Sequence, residues 1–254
     1  MKRFVIIFIL ICVYSISFSF ANQGKVAKTV ILGFIKTEGK PIALSKITLK
    51  FPDYISSKRE VIVPVDSLGH FRVELDLIQP SDFSIKFVNR WLLYFISPGD
   101  SIHLEIDKSI LQARKYSYIN LTGSAQKVNN DITHFNSCLS DSLTDWNLEE
   151  KSVSSLNPEQ YKEFIANKSL KQEAFLKGFN EKEQTCSVFQ EWAKYHLRFA
   201  IWNDLFQYYM VHESAEIDKV QFYKKFPQSY FDFLKDWDMK DQRAEISSNF
   251  FSFI

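Results

Sequence analysis

Two hydrophobic periods divide the chain near residue 123. From Lys28 to Gly123, apolar and polar residues alternate with a period of two, which places the apolar side chains of a β-strand on one face. From Ser124 onward, apolar residues recur at spacings of three and four, as in amphipathic helices. The pattern predicts an α+β fold, with an N-terminal antiparallel β-sandwich at 22–123 and an all-α helical segment at 124–254.

Eight short strands are expected in the first half, and each is separated from the next by turn residues. Regular spacing of this kind is typical of an antiparallel sandwich. The expected strands are Thr29–Lys36, Ser45–Phe51, Glu60–Val65, His70–Leu77, Phe83–Val88, Trp91–Ile96, Ser101–Ile106 and Ser117–Leu121. Between the sixth and seventh, we interpret Pro98-Gly99-Asp100 as a structural turn that reverses the chain; a ligand-binding loop is the alternative.

Three apolar stripes at helical spacing follow in the second half. The stripes are Val128, Ile132, Phe135, Leu139, Leu143 and Trp146; Tyr161, Phe164, Ile165, Phe175, Leu176 and Phe179; and Val188, Trp192, Tyr195, Phe199, Trp202, Phe206, Tyr209 and Met210. Asn157 is the expected N-cap of the second helix, and Ser187-Val188-Phe189-Gln190 matches a capping box at the start of the third. Two shorter helices are expected near Ile217–Phe226 and Ser229–Trp237.

The chain ends in the apolar run Asn249–Ile254, which has no polar cap. Exposed apolar side chains are unfavourable in water. We therefore expect this end to fray or to drive self-association, like a helix that stops in the middle of a turn.

The first 21 residues have the features of a secretory signal peptide. A basic start, Met1-Lys2-Arg3, precedes an almost wholly apolar run, and Ser19-Phe20-Ala21 offers small residues for cleavage after Ala21. An uncleaved anchor is the alternative, although the apolar run is short for a bilayer span. Export predicts a periplasmic or cell-envelope protein, in contact with a membrane only through the signal peptide before cleavage.

Charge and motifs exclude several functions. Loss of Lys2 and Arg3 with the signal peptide changes the formal net charge from +1 to −1, which argues against a nucleic-acid partner. No nucleophile, zinc or phosphate-binding motif occurs. The five histidines are scattered, and we interpret His103 and Glu105 as a surface pair with a metal site as the alternative. We identify no catalytic, cofactor-binding or metal-binding residues.

Two cysteines remain after cleavage, Cys138 and Cys186. An exported chain permits a disulfide between them, but their spacing matches no redox or metal motif. Cys186 precedes the expected start of a helix, where a thiol pKa is usually lowered, so it is the more reactive candidate. The alternative is that both are unpaired and only fill space.

Several segments, in order, resemble the N-terminal region of exported TlpA-like thiol–disulfide oxidoreductases of Bacteroidetes-type bacteria. They are the signal peptide, Ile31-Leu32-Gly33-Phe34, Gly39-Lys40-Pro41-Ile42, Asp66 with Gly69-His70-Phe71, Ile96 to Ile102, Leu121 to Ala125 with Asn129, and Gln228 to Leu234. The resemblance implies a β-sandwich module, a helical segment and then a thioredoxin-fold domain carrying W-C-x-x-C. That domain and its motif are not found in these 254 residues.

Two interpretations remain open. In the first, the chain is the accessory part of such an oxidoreductase and positions the missing thioredoxin domain or binds client proteins. In the second, it is a stand-alone envelope module that binds a partner and has no enzymatic activity. Protein clients or a thioredoxin-fold domain are thus the expected partners.

The signal-peptide interpretation predicts the N-terminus of the exported protein. N-terminal sequencing of the product from the cell envelope should begin at Asn22, because Ala21 is the residue before the expected cut. A protein that retains Met1, or one that begins at Cys12, would contradict a cleaved, periplasmic product.

Overall fold

The computed structural model describes residues 26–36, 46–51, 60–87, 90–107, 119–215, 228–236 and 241–253, and the single residues 222, 224, 226 and 238. Within these ranges, all strands precede all helices, so the predicted α+β class is confirmed. The strands are β1 (Ala27–Lys36), β2 (Lys46–Lys50), β3 (Glu60–Pro64), β4 (His70–Leu77), β5 (Ser81–Phe87), β6 (Arg90–Ile96), β7 (Ser101–Asp107) and β8 (Ile119–Gly123).

The strands form two four-stranded sheets that pack face to face. Sheet A has the order β4-β1-β7-β8 and sheet B has the order β3-β2-β5-β6. Every pair is antiparallel except β1 and β7, which run parallel. Alternate residues of both sheets point into the shared core, which includes Ile31, Ile35, Ile47, Leu49, Phe83, Ile85, Leu104 and Ile106.

The turn Pro98-Gly99-Asp100 connects the two sheets instead of closing a hairpin. It follows β6 of sheet B and precedes β7 of sheet A. The N–H of Asp100 donates to the carbonyl of Ser97 at 3.0 Å, so the interpretation of these residues as a structural turn is confirmed. Gly99 has a φ of 86°, a conformation that favours glycine. Its N–H donates to Oγ1 of Thr29 at 3.0 Å, and the same hydroxyl donates to the carbonyl of Ser97 at 3.2 Å. Strand β1 of sheet A therefore holds the turn.

The carboxylate of Asp100 joins this turn to the start of the helical segment. One oxygen accepts from the N–H of Ser97 at 2.6 Å, and the other accepts from the hydroxyl of Ser124 at 2.6 Å. Ser124 also accepts from the N–H of Ser101 at 3.1 Å. The turn is thus a structural joint between the sheets and the strand-to-helix junction.

Five α-helices and two 3₁₀ helices lie in the described part of the chain after residue 123. They are α1 (Gln126–Leu143), α2 (Trp146–Ser155), α3 (Pro158–Glu183), α4 (Ser187–Ala215), the 3₁₀ helices Gln228–Asp236 and Gln242–Ile246, and α5 (Ser248–Phe253). The expected helix near Ile217–Phe226 lies mostly outside the described residues. No helix among the described residues is both long enough and apolar enough to cross a membrane.

Two details of the predicted helices differ from the structure. The first apolar stripe spans two helices, because the backbone is extended at Thr144 and the side chain of Asp145 caps α2 by accepting from the N–H of Leu148. Trp146 is consequently 72% exposed. The expected capping box at Ser187 does not form, because the side-chain amide of Gln190 donates to the carbonyl of Thr185 instead.

Helix α3 begins as predicted. The side chain of Asn157 accepts from the N–H of Gln160, and the side chain of Gln160 accepts from the N–H of Asn157. This reciprocal capping box satisfies two backbone donors at the helix start, and Pro158 occupies the first turn, where its missing N–H costs nothing.

The C-terminal apolar run packs against α4, so the expectation of an unpacked end is wrong. The ring centroids of Phe250 and Phe199 are 5.1 Å apart, and those of Phe253 and Trp202 are 5.4 Å apart. The carbonyl of Asn249 accepts from the side-chain amide of Asn203 at 3.0 Å. The aromatic stripe of α4 supplies the partners that sequence inspection had not assigned to this run.

Asn129 of α1 joins the helices to sheet B. Its side-chain oxygen accepts from the N–H of Phe95 at 2.7 Å, and its side-chain nitrogen donates to the carbonyl of Phe95 at 2.8 Å. Phe95 lies on β6, the end strand of sheet B, where backbone groups on the outer edge have no partner strand. The side-chain amide of Asn129 takes the place of one residue of a neighbouring strand. Asn129 is itself only 2% exposed.

Substitution of Asn129 tests this joint. Asn129→Leu keeps the branched shape of the side chain but leaves the N–H and carbonyl of Phe95 buried without partners, and each such group costs about 1–3 kcal/mol. We expect a loss of several kcal/mol in the free energy of unfolding, measured by urea denaturation. Asn130→Leu, at the exposed neighbouring position, is the matched control and should change stability by less than about 0.5 kcal/mol. Equal losses in both variants would contradict the role of Asn129.

Candidate functional site

The two cysteines are free thiols on different helices. Cys138 lies on α1, half-buried against the hydrophobic core, and Cys186 immediately precedes α4. The carbonyl of Cys186 accepts from the N–H of Gln190 at 3.1 Å, which is the first hydrogen bond of the helix. Cys186 is therefore itself the N-cap residue.

The environment of Cys186 opposes the thiolate. Burial is the main cause that raises the pKa of this thiol, and the neighbouring carboxylate of Asp131 raises it further. Asp131 accepts from the N–H of Cys186 at 3.0 Å and from Nζ of Lys127 at 2.6 Å. The N–H of Phe189 at the helix start does lower this pKa, but burial and the carboxylate of Asp131 outweigh it. The expectation that the pKa of Cys186 is lowered overall is therefore wrong.

A buried carboxylate lies where sheet B meets the helices. Asp82 is completely buried, and its two oxygens accept from Nε1 of Trp192 and from the N–H of Ser248, both at 2.7 Å. Burial raises the pKa of Asp82 to about 6, although these two hydrogen bonds act in the opposite direction. One side chain thereby connects β5, α4 and α5.

His196 completes the group of residues that we call the junction cluster: Asp82, Trp192, His196, Ser247 and Ser248. The imidazole stacks on Trp192 with centroids 4.3 Å apart. Its Nδ1 lies 3.3 Å from Oγ of Ser247 and 3.9 Å from Oδ2 of Asp82. Burial lowers the pKa of His196 to about 4, so the ring is neutral at physiological pH.

The junction cluster contains Ser, His and Asp but lacks the geometry of a nucleophilic triad. In a triad, the carboxylate and the nucleophile contact opposite nitrogens of the imidazole. Here Asp82 and Ser247 both approach Nδ1 of His196, and Ser247 has no exposed surface. A substrate could not reach the hydroxyl, so we assign the cluster a structural role.

The sequence analysis counted His196 among scattered histidines and did not single out Asp82, which directly precedes the expected strand Phe83–Val88. No local signal marks the pair, because the two residues are 114 positions apart and meet only when α4 packs on sheet B. His103 is exposed on β7. Among the described residues, no group of three or more His, Cys, Asp or Glu side chains could hold a metal ion.

The junction cluster should give opposing pH effects on stability. The folded state binds more protons at Asp82 than the unfolded state between the ordinary pKa of 3.8 and about 6, so its contribution to the free energy of unfolding falls as pH rises through this window. For His196, the unfolded state binds more protons between about 4 and 6.5, and the contribution rises with pH. The two effects largely cancel in the native sequence.

Asp82→Asn keeps the shape of the side chain but removes the contribution of Asp82 to the free energy of unfolding, which falls as pH rises. The contribution of His196 remains. We expect the stability advantage of the native protein over this variant to shrink by roughly 2–3 kcal/mol between pH 4 and pH 6, measured by urea denaturation across that range. Asp76→Asn, at an exposed position on β4, controls for loss of a negative charge. If the difference in free energy of unfolding between the native protein and Asp82→Asn grows with pH, burial does not raise the pKa of Asp82.

Comparison with known proteins finds partial similarity to two solved structures. Neither a protein-family model nor a curated protein matches the chain. Part of the chain is similar to a solved DUF3823 family protein from Parabacteroides merdae, with 14% identity and a TM-score of 0.23 over 33% of this chain and 45% of that one. A second, from Bacteroides ovatus, has 16% identity and a TM-score of 0.21 over 32% of this chain and 42% of that one. The chain thus spans less than half the length of either structure.

Proposed function

We propose that this chain is a non-catalytic accessory part of an exported TlpA-like thiol–disulfide oxidoreductase, where it positions a thioredoxin domain or binds client proteins. The observation that carries the proposal is the hydrogen-bonded joint between sandwich and helices. Asp100, Ser124 and Asn129 belong to the segments that resemble this family, and their side chains make the hydrogen bonds of that joint. A scaffold whose two parts are joined by buried hydrogen bonds is suited to holding a neighbouring domain.

The environment of the thiols supports a non-catalytic role. Thiol–disulfide exchange needs an accessible thiolate and, usually, a resolving thiol nearby. Cys186 has a raised pKa and a carboxylate beside it, and Cys138 packs against the core. Export through the signal peptide, and residence in the periplasm or envelope, are part of the same proposal.

A second candidate is a stand-alone envelope module that binds a partner and has no enzymatic activity. The observation that favours it is an exposed surface on sheet B, where Lys50 and Lys86 both lie over the ring of Trp91. Such a surface could serve a partner without any thioredoxin domain.

The native protein distinguishes the two candidates. An antibody raised against residues 60–253 should isolate, from the source organism, a polypeptide whose peptide map also contains a thioredoxin-fold sequence with W-C-x-x-C. Isolation of a polypeptide without any such sequence would favour the stand-alone module. Mass spectrometry of the isolated protein supplies both the length and the peptide map.

The purified mature chain should not accelerate the reduction of insulin by dithiothreitol, because the pKa of Cys186 is raised and Cys138 packs against the core. Turbidity from the insulin B chain should appear at the uncatalysed rate, and Cys138→Ser and Cys186→Ser should give the same rate. The matched positive control is thioredoxin at equal concentration. Acceleration that disappears in Cys186→Ser would overturn the non-catalytic assignment.

A further inference from the structure

Along its outer edge, strand β6 has one stretch that Asn129 covers and one open stretch that no described strand pairs with. β6 is the end strand of sheet B, and the backbone groups of Phe95 point away from β5 because Asn129 binds both of them. The pairing of β5 with β6 continues without interruption from Ile96 to Arg90. Backbone direction alternates along an antiparallel strand, so the N–H and carbonyl groups of Leu93 and Trp91 point to the same edge, where no described strand pairs with them.

Positive charge accumulates beside this open stretch. Nζ of Lys86 lies 5.5 Å from the ring centroid of Trp91, and Nζ of Lys50 lies 5.9 Å from it. Lys86 is directly opposite Trp91 on β5, whereas Lys50 is on β2, one strand further away. Both ammonium groups therefore lean towards β6. By strand register, the nearest carboxylate is that of Glu60 on β3, directly opposite Lys50. Strand β3 is the edge strand at the other end of sheet B from Trp91.

Two cations of the other sheet form ion pairs. On sheet A, the carboxylate of Glu74 lies 3.3 Å from Nζ of Lys28 and 2.6 Å from the guanidinium of Arg72. Among the described residues, no carboxylate lies within ion-pair distance of Lys50 or Lys86. The contrast identifies the Trp91 end of sheet B as a surface that complements negative charge.

We propose that the open stretch of β6 from Leu93 to Trp91 binds an extended acidic segment of a partner protein as an additional strand of sheet B. The inference rests on the partner-binding part of the proposed function and specifies the chemistry of that partner. Added strands gain affinity from backbone hydrogen bonds and specificity from the side chains beside them.

The geometry fits one such strand. A strand added about 4.8 Å from β6 would place alternate side chains on the outer face of sheet B, next to Trp91. Glutamate at those positions would meet the ammonium groups of Lys86 and Lys50, while apolar or aromatic positions would pack on the indole. The amide of Asn129 already occupies the edge at Phe95, so it limits the added strand at that end.

Binding can be measured with a fluorescein-labelled peptide of alternating Glu and Val. We expect it to raise fluorescence anisotropy on addition of the mature protein, to bind more weakly at high salt, and to protect the amides of Leu93 and Trp91 from hydrogen exchange. An alternating Lys and Val peptide tests charge. The Glu–Val peptide with N-methylated backbone amides on one edge tests strand addition, because it keeps the charge and cannot donate to β6. Both control peptides should bind at least about tenfold more weakly.

Paired variants of the protein complete the test. Lys50→Gln with Lys86→Gln should weaken binding of the Glu–Val peptide by about tenfold, whereas Lys28→Gln with Arg72→Gln removes the same charge from sheet A and should leave it unchanged. Absence of binding, equal binding of the N-methylated peptide, or equal losses in the two double variants would each overturn the proposal. None of these outcomes bears on the insulin assay, so failure here is distinguishable from failure of the non-catalytic assignment.

Discussion

The outer edge of β6 is the constraint on which the joint between the two halves depends. An edge strand exposes N–H and carbonyl groups that cannot be buried without partners. Helix α1 packs over this edge only because Asn129 supplies both a donor and an acceptor to Phe95. A carboxylate would accept but not donate, and an apolar residue would do neither. A primary amide is therefore the side chain that lets a helix cover this sheet edge.

The junction cluster adds a second constraint of a different kind. A buried carboxylate is unfavourable unless donors surround it, and Asp82 receives one from an indole and one from a backbone amide. Those donors belong to α4 and to α5, so the charge is satisfied only when both helices are in place. Neutral His196 then fills the remaining space beside Trp192 without bringing a second buried charge. The cluster specifies how the helices sit on sheet B, independently of any catalytic role.

The strands and most helix positions could be predicted from the sequence because their signals are local. Alternation marks β4, and Asn157 followed by Pro158 marks the start of α3. The stripe from Val128 to Trp146 predicted one helix where there are two, because helical spacing continues by chance across the break at Thr144. The packing of Phe250 could not be predicted, since it depends on the position of α4 in space. The same holds for Asp82, whose environment is made entirely by distant residues.

The distribution of charge on the two sheets connects the fold with partner binding. Both outer faces carry lysine or arginine. On sheet A, Glu74 forms ion pairs with Lys28 and Arg72, whereas no carboxylate among the described residues pairs with Lys50 or Lys86. On sheet B the corresponding space is occupied by the ring of Trp91, which attracts two ammonium groups without neutralising them. The ring of Trp91 thus holds two ammonium groups in place without neutralising them, whereas a carboxylate would neutralise them. Their positive charge can therefore bind an acidic side chain of a partner. Because no strand among the described residues pairs with the outer edge of β6, one segment of a partner can use both features at once.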